Sequence, residues 1–154
     1  MRKSNLIRLA LTTLALVWSL TGAAAEVRQP IIADDLAIFY GVMPVEVLFA
    51  YPPDHAERRM HGGALDTRDS YHLVVSLFNA KNRARITDAQ VQARVNDAGL
   101  TPQAKSLQPM TMAGVITYGN YFSMPPPGVY RITLHITRRN GGSPVQVSFE
   151  HRHR

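Results

Sequence analysis

The chain of 154 residues contains no cysteine. That excludes disulfides, a thiol nucleophile, a zinc–thiolate site, an iron–sulfur site and the Cys-ligated blue-copper centre. Stability must then rest on packing. Its one tryptophan, Trp18, falls inside the N-terminal apolar run Leu9–Leu20. That run is too short to span a bilayer comfortably, so stable membrane insertion is not expected. The patterns HExxH, GxSxG, the phosphate-binding P-loop and GxGxxG are all missing, which removes the commonest hydrolase, protease and nucleotide-binding signatures. Acidic residues number eleven, and Asp54, Asp66, Asp69, Asp88 and Asp97 fall in turn-like segments. Nothing suggests the facing carboxylate pair of a glycosidase. The expectation is a protein that is not an enzyme, with a hydrolase of unrecognised site as the remote alternative.

What the N-terminus does contain is a three-part export signal. MRKSNLIR is basic, LALTTLALVWSL is apolar, and TGAAA ends in small residues, with Ala23 and Ala25 at the cleavage positions. Residues 1–25 read as a cleaved signal peptide, giving a periplasmic protein that begins at Glu26. Arg2, Lys3 and Arg8 belong to that signal, so 14 of the 17 basic residues remain against 11 acidic ones, a formal charge of +3. The remaining arginines are scattered rather than striped, so no nucleic-acid partner is expected. Residues 26–154 are long enough for one domain with a single core.

Most of that domain alternates with a period of two, the signature of strands. Tyr71, Leu73, Val75 and Leu77 form one apolar face; Ala89, Val91, Ala93 and Val95 a second; Tyr130, Ile132, Leu134 and Ile136 a third; Val145, Val147 and Phe149 a fourth. Residues 104–112 and 115–124 add two strands, and Pro109 argues that the first lies at an edge. Turn residues separate them at 81–83, 96–99, 125–128 and 140–142. The expected fold is all-β, an immunoglobulin-like antiparallel β-sandwich of about seven strands over residues 71–150. Residues 26–70 form an N-terminal segment and long loop, with a strand at 36–42 and one short helix near 44–51, where Pro44 suits a first helical position.

The chemistry left to such a chain lies in histidine and methionine. Met60-His61-Gly62-Gly63 sits in the long loop, with His55 upstream, and His72 follows at the start of a core strand. Met110-Thr111-Met112 projects two thioethers from one strand face. Thioethers are soft ligands that favour Cu(I), and imidazole accepts copper or zinc. Met60, His61, His72, Met110 and Met112 are therefore the candidate metal ligands. Each also has a plain reading: Met110 and Met112 as core filler, His72 as a packed histidine, and Met60-His61 as a loop plug. The tail His151-Arg152-His153-Arg154 reads as a solvated end. Tyr118-Gly119-Asn120-Tyr121-Phe122 reads as a strand whose rings fill the core, with Gly119 marking a bulge.

Three segments carry a resemblance: YHLVVSLFNAKNRARITDAQVQARV, KSLQPMTMAG and YGNYFSMPPPGVYRITLHITR. Over Tyr71–Thr137 the chain resembles the small exported YtkA-like sandwich domains. In its Met/His set it is more loosely similar to periplasmic copper carriers of the CopC and PCuAC type. The resemblance implies an Ig-like sandwich and a copper-binding or copper-delivery accessory. The alternative is an envelope adaptor or complex subunit that binds protein and no metal.

Overall fold

The computed structural model describes residues 29–54, 56–59, 68–97, 99, 101–139 and 141–153. The expected signal peptide and its cleavage after Ala25 lie outside these residues, as do His55, Met60 and His61. Among the described residues no helix is long and apolar enough to cross a membrane.

The strands are β1 (Ile31–Ala33), β2 (Leu36–Pro44), β3 (Ser70–Asn79), β4 (Arg85–Ile86), β5 (Ala89–Asn96), β6 (Gln103–Met112), β7 (Val115–Ser123), β8 (Gly128–Arg138) and β9 (Val145–His153). Seven are long, as the alternation predicts, and β1 and β4 are short additions. All pair antiparallel in the order β1-β2-β3-β7-β6-β5-β8-β9, with β4 on β3. Among the described residues helical structure is limited to a 3₁₀ segment, Val45–Ala50, and a single turn, α1 (Ala56–Arg59). Pro44 ends β2 with an extended ψ of 140° and stands just before the 3₁₀ segment, one residue ahead of the first helical position expected for it.

The sandwich core lies on the faces that alternation predicts. Leu73, Val75 and Leu77 from β3 meet Val91, Ala93 and Val95 from β5 and Ile132, Leu134 and Ile136 from β8. Val145 and Val147 of β9 close it. Tyr130 is buried there, and its hydroxyl donates to the Pro125 carbonyl at 2.5 Å, so its one polar atom is satisfied.

Three local expectations are corrected. The strand bearing Pro109 is interior to the sheet order, not at its edge. Residues 103–107 pair with β5 and 108–112 with β7, so β6 passes from one sheet to the other. Pro109 sits just past that transfer, where the partner on the β5 side has ended and β6 pairs with β7 alone. Gly119 marks no bulge, because the register to β3 runs unbroken through it, and it forms the last pair of the ladder with β6. The tail is not simply a solvated end. β9 continues to His153, and the His151 ring lies 5.9 Å from that of Tyr71.

One ion pair ties the two sheets together. Arg138 Nη1 at the end of β8 donates to Asp35 Oδ2 in the β1–β2 turn at 2.6 Å. That hydrogen bond holds the Asp35 carboxyl below its ordinary value of 3.8. A depressed carboxylate contributes stability above its unfolded-state pKa, and the contribution is lost as pH falls through the lower folded-state value. Asp35→Asn should therefore flatten the acid limb of the stability–pH curve below about pH 4 and leave its neutral-to-alkaline shape unchanged. Urea denaturation of both proteins across that range checks this; identical acid limbs would remove the role given to the pair.

Candidate metal site

In the sheet formed by β2, β3, β7 and the end of β6, each strand has a second face, turned away from the core. On β3 it carries His72 and Val74; on β7, Thr117, Gly119 and Tyr121; on β2, Gly41 and Met43. The register sets Met43, His72 and Tyr121 in one transverse row and Gly41, Val74 and Gly119 in the next. Such a face would ordinarily be wet. Here the 3₁₀ segment folds back over it, and Val45 and Leu48 pack with Tyr121 in a small second cluster. Arg58 holds this cover in place by stacking 5.1 Å over the Phe49 ring and donating to the Tyr51 carbonyl at 3.1 Å.

Under the cover His72 is fully buried, although it lies outside the main core. Its ring packs 4.8 Å from that of Tyr121. From there it leans across β7 toward Gly119. Met110 of β6, opposite Thr117, reaches the same place from the other side. A Cβ added at Gly119 would lie 2.7 Å from His72 Nε2 and 2.9 Å from the Met110 methyl. Real side-chain carbons do not approach so closely, so the absence of a side chain at 119 is what lets imidazole and thioether converge.

Two further residues neighbour the pair in register, Met43 beside His72 and Thr117 beside Met110. Met43 is directly opposite His72, and such pairs hold their Cβ atoms about 4.5–5.5 Å apart. Thr117 is 4% exposed, and its Oγ1 has no hydrogen-bond partner among the described residues. Lys105 donates to the Tyr121 carbonyl at 2.6 Å, and burial pushes its ammonium pKa down. Burial also pushes the Tyr121 phenol up, so the ring stays neutral.

Of the five candidates from sequence, the structure brings His72 and Met110 together. Met112 pairs with Val115 beside the hairpin turn Ala113-Gly114. It is four residues, about 13 Å of strand, along β6 from Gln108, the residue opposite Gly119. Met60 and His61 lie outside the described residues. Met43, Thr117 and the role of Gly119 escaped the sequence reading. The alternation Phe39, Gly41, Met43 was a signal for the first of them, but the expected strand stopped one residue short of it.

Among the described residues no three His, Asp or Glu side chains gather into a metal-holding group. The donors on offer are one imidazole and nearby thioethers, a soft set suited to copper rather than to magnesium, calcium or zinc.

No protein-family model matches the sequence, and no curated protein matches it in sequence. Solved structures do match in fold. A DUF4426 family protein from Pseudomonas aeruginosa is 14% identical at a TM-score of 0.62, over 81% of this chain and 96% of that one. A copper-bound variant of FetP from uropathogenic Escherichia coli is 16% identical at 0.62, over 82% and 94%. A copper-bound variant of Campylobacter jejuni P19 is 15% identical at 0.60, over 80% and 93%. The chain shares the fold of these proteins.

Proposed function

We propose that this chain is an exported, non-enzymatic accessory protein that binds or delivers copper, Cu(I) in preference, through His72 and Met110. Met43 stands beside the pair as a further thioether, and Met60 and His61 of the loop are candidate additional ligands, as is Met112 from the same strand as Met110. The observation that carries this reading is the convergence of His72 Nε2 and the Met110 side chain over Gly119. A purely structural histidine needs no glycine opposite its ring nitrogen and no sulfur-bearing chain brought to the same point. The copper-bound states of FetP and P19 support the metal, and the resemblance to YtkA-like domains and copper carriers supports an exported sandwich.

The test is a Cu(I) titration of the chain from Glu26 onward against a chromophoric chelator, with metal analysis. The parent should take up one equivalent. Met110→Leu roughly keeps volume while deleting the sulfur, and should weaken Cu(I) by more than the roughly 10–100-fold that outer-shell partners are worth. Met112→Leu and His61→Ala, run alongside, decide whether those residues add to the site. If the parent binds no copper at micromolar protein, the reading fails.

The second reading, an envelope adaptor, then takes its place. What favours it is an apolar groove of about 340 Å³ between Ile32, Phe39 and Phe78. Ile32 and Phe39 there remain 59% and 38% exposed.

A further inference from the structure

Thr117 is the polar residue the site leaves unexplained. It is buried near the start of β7, and its hydroxyl has no partner among the described residues. A buried hydroxyl without a partner is unfavourable, and native structures nearly always supply one from protein, ordered water or a bound ion. Its position is specific. Thr117 is directly opposite Met110 and two residues before Gly119 on the same face. It therefore shares the face on which His72 and Met110 meet, next to Met110 in register.

A threonine hydroxyl does not ionise near neutral pH and is not a soft donor. It is a poor competitor for copper beside thioethers and imidazole, but a good hydrogen-bond partner for a water on the ion. Resting on the copper reading above, we infer that Thr117 is a positioning residue that holds a metal-bound water in the site. That water supplies the oxygen donor that Cu(II) favours and the thioethers lack. The site then accepts both Cu(I) and Cu(II) as delivered, with Thr117 acting on the second through the water.

The experiment compares the parent chain with Thr117→Val and Thr117→Ser. Each is loaded with Cu(II) and measured by pulsed electron paramagnetic resonance in D2O, with Cu(I) and Cu(II) affinities taken by chelator competition. The parent should show exchangeable deuterons of a coordinated water. Thr117→Val should lose that signal and bind Cu(II) about tenfold more weakly, the scale of one hydrogen bond to a charged group, with Cu(I) affinity unchanged. Thr117→Ser should restore the signal. If Thr117→Val keeps the deuteron signal and the Cu(II) affinity, and melts higher without metal, the hydroxyl is a structural liability and the inference is overturned. A parent that binds copper with no coordinated water sinks this inference and spares the copper reading. A parent that binds neither ion sinks both.

Discussion

Replacing Gly119 by alanine should abolish tight Cu(I) binding while leaving the sandwich folded. The added methyl carbon would stand 2.7 Å from His72 Nε2 and 2.9 Å from the Met110 methyl. The methionine chain can swing aside at little cost. The imidazole, fully buried against Tyr121, has less freedom, and its shift takes the nitrogen away from the shared point. The affinity for Cu(I) should fall by more than about 100-fold, beyond the reach of outer-shell changes. Stability should fall by about 1–3 kcal/mol, the scale of overpacking. Gly41→Ala is the control, since it lies on the same face with nothing within 4 Å of an added Cβ. It should leave copper affinity as it was. A Gly119→Ala protein that binds Cu(I) like the parent would mean that ring and thioether meet there for packing alone.

The second large effect is on the core. Leu134 is fully buried on β8, between Ala93 of β5 and Val147 of β9 in register. Leu134→Ala should lower the unfolding free energy by about 2–5 kcal/mol, because it removes apolar burial and leaves a cavity that rigid sheet neighbours close poorly. His135→Ala, one residue on and exposed, should change it by no more than about 0.5 kcal/mol. Urea unfolding followed by circular dichroism measures both. A Leu134→Ala cost below about 1 kcal/mol would turn this face of β8 outward. Copper affinity should not respond, since Leu134 lies in the core between the sheets and the candidate site lies on the face turned away from it.

The fold was largely legible because alternation is a local property. Tyr71, Leu73, Val75 and Leu77 announce their face without any knowledge of what lies opposite, and so do the apolar positions of β5 and β8. The site was legible in part. His72 and Met110 could be named from their chemistry. Their meeting depends on a register that pairs His72 with Tyr121 and Met110 with Thr117, and register is a property of pairs of distant strands. The same register sets Met110 opposite Thr117 and Met112 opposite Val115, a difference in neighbours that the sequence does not show. Gly119 was misread for a related reason. A glycine inside a strand signals either a bulge or a close approach, and only the neighbours decide which. Thr117 carried no signal, because a buried hydroxyl looks like any strand threonine until its burial is seen.

The parity of the strands has a consequence for how such a protein can diverge. On β3 the odd positions from 71 to 77 build the core and the even position 72 lies on the candidate site's face; on β7, Tyr118 and Phe122 build the core while 117, 119 and 121 lie on that face. Two sets of residues with separate physical duties are threaded through the same strands, one residue apart. Substitutions in one set leave the other set's neighbours in place. A scaffold of this kind can acquire, alter or lose an ion-binding centre by drift at alternate positions, while its architecture persists among chains that have little sequence in common.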